Sequence, residues 1–125
     1  MTEAQYIGSI LGLAIGDALG YPAEFRSREQ LLREIGAEGI CGFIALKDPR
    51  FTRPFIVGKD HPPGTFTDDT QMSLAVARGL LEAGVDAPLD ELMEAVGRAF
   101  VRWSQSEDND RSPGGTCMTG CAALR

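Results

Sequence analysis

This sequence predicts a helical domain, on three observations. An apolar run over residues 4–20 carries glycine at every fourth position. Two later segments, Met72 to Leu81 and Asp90 to about Ser104, place apolar residues on a helical period. The one strand-like stretch is short, at Phe55-Ile56-Val57.

Length and composition fit that reading. A chain of 125 residues with 43% hydrophobic and 24% charged residues is ordinary for one soluble domain or part of one. The net charge is −6 and the pI about 4.7. Lysine occurs only at Lys47 and Lys59, and no basic stripe is present, which argues against a duplex nucleic-acid partner. The cysteines Cys41, Cys117 and Cys121 follow no framework spacing, so free thiols in a reducing, cytoplasmic setting are expected. Cys117 and Cys121 are four apart, but a zinc site needs more ligands. The first apolar run is too short and too interrupted for a membrane span or signal peptide.

In order along the chain, residues 4–20 form the first helix. Gly8, Gly12, Gly16 and Gly20 make a smooth stripe, while Ile7, Ile10, Leu11, Ala14, Ile15 and Ala18 cover much of the rest. A helix apolar nearly all round is expected to be buried. Because each interior glycine costs about 0.5–1 kcal/mol against alanine, the stripe implies close approach of another helix or of a ligand. Asp17 interrupts this apolar helix and needs a partner if buried. Pro22 stops the helix, and Tyr21 before it is expected to be extended. Glu24 follows on a loop.

Ser27 and Gln30 have capping-box spacing and start a short polar helix over residues 28–34. Gly36 to Gly42 is a turn region. Phe43 to His61 reads as a long ordered loop, containing the short strand and the single histidine, His61. His61-Pro62-Pro63-Gly64 is a rigid turn.

Phe66-Thr67-Asp68-Asp69-Thr70 then opens a helix that runs to about Glu82 and stops at Gly84. Thr67 or Asp68 can cap it, and acidic residues in its first turn suit the helix dipole. Met72, Ala75, Val76, Gly79 and Leu80 form its apolar face. A hydroxyl and two adjacent carboxylates are also hard oxygen donors suited to Mg²⁺, Mn²⁺ or Ca²⁺. Capping uses one side chain and leaves the others unexplained, so helix cap and metal site both stay open here.

The next helix, from Asp90, buries Leu92, Met93, Val96, Ala99, Phe100 and Trp103. Ser106 to Asp110 is acidic but is not an EF-hand. A loop begun at Asp108 would put Pro113 where glycine is required and Thr119 where glutamate is required. Ser112 can cap a last helix with Pro113 at its first position. The Arg111-Ser112-Pro113-Gly114-Gly115-Thr116 turn offers backbone N–H groups and a guanidinium, as an anion site would.

Taken together, Gly12 to Gly20 with Asp17, then Pro22 and Glu24, then Phe66 to Thr70 with Met72, then Arg111 to Gly114 with Thr116, resemble the amino-terminal part of the ADP-ribosylglycohydrolase family. The resemblance covers Gly8 to Thr119. It implies an all-α fold, with a long ordered loop before the central metal-ligand helix, and residues 1–125 as a single partial domain. It also implies hydrolysis of the glycosidic bond between ADP-ribose and a protein side chain or related acceptor, at a centre of two divalent cations, Mg or Mn. By position, Thr67, Asp68 and Asp69 would bind metal, and Glu24 and Asp68 would be catalytic. Arg111, Gly114, Gly115 and Thr116 would meet the ADP-ribose, and Asp17 would brace the site.

The chain departs from the family in lacking the Asp-x-Asp-Thr type motif that completes the metal cage. Asp108-Asn109-Asp110 imitates its spacing but precedes the Pro-Gly loop and is followed by Arg111. The expectation is therefore at most one weakly bound cation, low or no activity from these residues alone, and apolar faces that favour self-association or a complementary carboxy-terminal chain. The alternatives are a non-enzymatic ADP-ribose or nucleotide-binding module and a helical interaction protein.

Overall fold

The structure, a computed structural model, describes residues 2–44 and 62–125. The described residues are helical and contain no strand. In order they are α1 (Glu3–Gly20), a 3-10 turn (Tyr21–Ala23), α2 (Arg28–Ile35), α3 (Asp68–Ala83), α4 (Leu89–Ser104) and α5 (Gly115–Ala123). This is the all-α class expected. The short strand at Phe55-Ile56-Val57, most of the long loop, and His61 lie outside the described residues. The chain divides into two compact units, Met1–Phe66 and Thr67–Arg125. No described helix is long and apolar enough to cross a membrane.

In the first unit, α1 starts at a capping box: the Thr2 hydroxyl accepts from the Gln5 amide while the Gln5 side chain accepts from the Thr2 amide. The expected burial of this helix is not found. Only Ala18 is buried, and Tyr6, Ile7, Leu11, Leu13 and Ile15 are 40–58% exposed. Among the described residues, the other helical elements of the unit are a single 3-10 turn and α2, which has no buried residue, and these cannot cover an 18-residue helix. Among the described residues nothing lies within 4 Å of where a Cβ would stand on Gly8, Gly12, Gly16 or Gly20, so the stripe marks no close approach of a described helix. Tyr21 is also not extended. It is helical, at φ −51° and ψ −45°, and its N–H still donates to the Asp17 carbonyl. Pro22 is accommodated because it falls in the first positions of the 3-10 turn, where its missing N–H is harmless. The predicted Ser27–Gln30 capping box opens α2.

The second unit is organised by α3 against α4. The buried side of α3 runs Asp68, Ala75, Gly79, and that of α4 runs Ala95, Val96, Ala99, Trp103. Ala75, Ala99, Trp103 and Cys121 form the core, with Met72, Phe100 and Met118 packed against it. Two expected core residues lie outside. Leu80 is 42% exposed and Met93 59% exposed, whereas Ala95 is buried at 1%. Leu92, Ala95, Val96, Ala99 and Trp103 follow the i, i+3, i+4, i+7 spacing, and Met93 sits at its edge. Small residues win the interface because the helices approach so closely. A Cβ on Gly79 would stand 2.6 Å from the Val96 Cα. Across the exposed side, the Arg102 guanidinium donates to both Glu82 carboxylate oxygens at 2.6 and 2.8 Å, a surface pair worth at most about 1 kcal/mol. Gly84, with φ +86°, ends α3, and its N–H donates to the Leu80 carbonyl.

The Gly79 contact generates a stability test. The atoms facing Gly79 belong to the Val96 backbone and cannot rotate away. Gly79→Ala is therefore expected to destabilise the chain by about 1–3 kcal/mol in urea unfolding, despite alanine's better helix propensity. An unchanged or raised midpoint would refute the close approach.

Candidate active site

The first turn of α3 carries the hard oxygen donors. Thr67 is its N-cap, extended at φ −104°, and its Oγ1 accepts from the Asp69 amide at 3.2 Å. The helix-cap reading of this motif is therefore correct for Thr67. It does not exhaust the motif: Asp68 and Asp69 occupy the first two helical positions. Thr67, Asp68 and Thr70 are buried, while Asp69 faces solvent.

Asp68 does something a cap alone does not require. Its backbone N–H donates to the Arg111 carbonyl at 3.1 Å. Its Oδ2 accepts from the Gly114 N–H at 3.3 Å. The helix start and the Pro-Gly loop, more than forty residues apart in sequence, thus meet at one aspartate. The Arg111 carbonyl satisfies an amide that helix geometry leaves without an intrahelical partner. The loop amide in turn meets a carboxylate already favoured by the helix dipole.

The loop's own conformation follows from this clasp. Ser112, between the two contacts, lies in the left-handed region at φ +63°. Sequence spacing placed Ser112 as the cap of the last helix and Pro113 in its first position. Instead Gly114 is the N-cap and α5 begins at Gly115. The tertiary contacts to Asp68 turn the chain at Ser112 and postpone the helix by two residues. Arg111 is half-buried, and Gly114, Gly115 and Thr116 are exposed at the mouth of α5.

Upstream of the clasp the loop is chained to α4. The Asn109 side-chain amide donates to the Ser104 carbonyl at 3.2 Å and to the Met118 sulfur at 3.4 Å. Gln71, one turn into α3, accepts from Trp103 Nε1–H at 3.1 Å and donates to the Asp108 carbonyl at 2.8 Å. Reading the sequence missed Gln71 and Asn109. A signal existed for Gln71, which lies one helical turn beyond Thr67.

The two remaining predicted residues belong to the first unit. Asp17 is half-buried on the last turn of α1, and Glu24 is exposed just after the 3-10 turn. The Glu24 amide donates to the Gly20 and Tyr21 carbonyls. Phe25 next to it has φ +61°, a strained conformation for a bulky residue.

As a donor set, one hydroxyl and two carboxylates suit a hard divalent cation. Among the described residues, no group of three or more His, Cys, Asp or Glu lies together so as to hold a metal ion. The fit is thus to part of a coordination shell. The thiols offer no alternative: all three are free, and burial, then Cys117, push the Cys121 thiol above its ordinary value, with Arg125 opposing.

Two tests follow from this geometry. Asp68→Ala removes a buried acceptor and is expected to cost about 1–3 kcal/mol in urea unfolding, more than Asp69→Ala at its exposed position. Equal losses would remove the clasp from the argument. Thiolate is the reactive form, so below pH 9 exposed Cys41 is expected to react with a thiol reagent well before buried Cys121. Mass-mapped labelling that modifies Cys121 first would contradict its burial.

Comparison with known proteins identifies the family of the chain. The model of the ADP-ribosylglycohydrolase family matches residues 2–125. The sequence is 33% identical over 117 residues to ADP-ribosyl-[dinitrogen reductase] glycohydrolase of Rhodospirillum rubrum, covering 91% of this chain and 32% of that protein. It is 32% identical over 112 residues to ADP-ribosylarginine hydrolase Tri1 of Serratia proteamaculans (strain 568), covering 89% of this chain and 24% of that protein. The chain thus spans about a third or less of these relatives. No solved structure matches it.

Proposed function

Because this chain belongs to the ADP-ribosylglycohydrolase family, we propose that it supplies part of the site of an enzyme that hydrolyses the bond between ADP-ribose and a protein side chain. The relatives' names describe action on ADP-ribosyl-dinitrogen reductase and on ADP-ribosylarginine, and an ADP-ribosylated protein is the substrate class proposed here. The observation that carries the reading is the Asp68 clasp, which sets three oxygen donors beside a glycine-rich loop in one unit.

Thr67, Asp68 and Asp69 would hold Mg²⁺ or Mn²⁺. When bound, the metal centre would lower the pKa of a water and hold an oxygen of the substrate ribose. The rest is the work of the protein's own groups. Glu24 would take the proton from the attacking water. The water oxygen would bond to the ribose carbon, which has oxocarbenium character, as that carbon's bond to the acceptor nitrogen or oxygen breaks, and the departing acceptor would take up a proton. The Gly114 N–H is engaged by Asp68, so the donors that would meet the pyrophosphate are those of the first turn of α5, at Gly115 and Thr116, with the Arg111 guanidinium adding charge. Asp17, on α1 of the first unit, is proposed as a structural-support residue of the complete enzyme. In this reading further metal ligands would come from residues other than Thr67, Asp68 and Asp69.

The test is calorimetric. Titration of Mn²⁺ into the chain is expected to show at most one weak site, lost in the Asp68→Ala, Asp69→Ala double variant. If the double variant binds Mn²⁺ as the parent does, the metal assignment is wrong.

A further inference from the structure

We propose that Gln71 is a positioning residue for this site: its side-chain amide holds the loop bearing Arg111 and Gly114–Thr116 in register with Thr67–Asp69. The inference rests on the functional reading above for its purpose, but on geometry alone for the clamp.

Gln71 has two partners with opposite demands. Trp103 Nε1–H can only donate, and the Asp108 carbonyl can only accept. The Gln71 amide meets both, with Oε1 3.1 Å from the indole nitrogen and Nε2 2.8 Å from the carbonyl oxygen. A carboxylate at this position could answer the indole but would repel the carbonyl. A thioether accepts only weakly from the indole and cannot donate to the carbonyl. The two bonds span 32 and 37 residues of sequence, so they join three separate segments: α3, α4 and the loop.

The position along α3 gives the clamp its purpose. Gln71 follows Asp68 by three residues and Thr67 by four, so all three lie on one side of one helical turn. From that turn, Gln71 grips the loop at Asp108, while Asp68 grips it at Arg111 and Gly114. The strained Ser112 lies inside the span so held. Trp103, buried in the core, fixes the other side of the amide. Gln71 is thus a link, beside the Asn109 bond to Ser104, by which the α3–α4 core sets where the loop begins, and Asp68 sets where it ends. It would touch neither metal nor substrate.

The experiment uses the full chain and two variants, Gln71→Glu and Gln71→Met. Site-resolved amide hydrogen exchange reads the clamp directly. The Asp68 and Gly114 amides are expected to exchange roughly tenfold faster in both variants, with the amides of Ala75 and Ala99 changed by no more than about twofold. Unaltered exchange at Asp68 and Gly114, or equal acceleration throughout α3 and α4, would overturn the proposal. Binding of ADP-ribose in the presence of Mn²⁺ separates purpose from clamp. Where the parent binds it, the variants are expected to bind roughly tenfold more weakly while their affinity for Mn²⁺ alone stays within about twofold. Equal ADP-ribose affinity in parent and variants would overturn the positioning role. The Mn²⁺ titration of the Asp68→Ala, Asp69→Ala double variant decides the proposed function separately, and amide exchange alone decides the clamp.

Discussion

Everything about the second unit turns on how a buried carboxylate at a helix start is satisfied. Desolvating Asp68 is costly unless the charge meets donors. The dipole of α3 supplies one favourable field, and the Gly114 amide supplies a hydrogen bond. The reciprocal bond, from the Asp68 amide to the Arg111 carbonyl, locks backbone to backbone. With both in place the loop has little freedom, and the left-handed Ser112 is where the cost of fitting it appears. The start of α5 at Gly115 is a consequence of the same contacts.

Such a clasp needs a rigid support, and α3 with α4 provides it. The pair packs closely because its interface residues are small: Gly79 against the Val96 backbone, and Ala75 and Ala99 beside Trp103. Close backbones mean many dispersion contacts and few voids. Trp103 then serves two purposes, filling the core with its ring and orienting Gln71 with its N–H. Packing energy is thereby connected to loop position through the Gln71 amide, with Asn109 adding a second link.

The candidate residues fall in both units. Thr67, Asp68 and Asp69 cluster on one turn, beside the loop of Gly114 to Thr116, in the second unit. Glu24 and Asp17 belong to the first. Glu24 follows a 3-10 turn and precedes the strained Phe25, so its backbone is well defined locally. The broad apolar surface of α1, expected to be buried, is exposed over several large side chains. Since the matched relatives are about three times longer or more, metal ligands beyond this stretch are part of the proposal.

Much of this was readable from residues alone, because local rules govern it. The helical class, the Ser27–Gln30 box, the stop at Gly84 and the cap at Thr67 follow from periodicity, from glycine's backbone freedom and from side chains bonding amides two or three residues away. The candidate residues at Thr67 to Asp69 and Arg111 to Thr116 were recognisable as motifs. What local rules do not contain is partnership across the chain. Nothing in the order of residues says that Asp68 reaches Gly114, that Gln71 joins Trp103 to Asp108, or that α5 starts late. Nor does apolar periodicity alone choose Ala95 over Met93, because that choice depends on how near the facing helix comes. Those outcomes belong to the tertiary structure, where a buried charge, an indole N–H and a loop carbonyl must each find a partner of the opposite kind, and only folding brings such partners together.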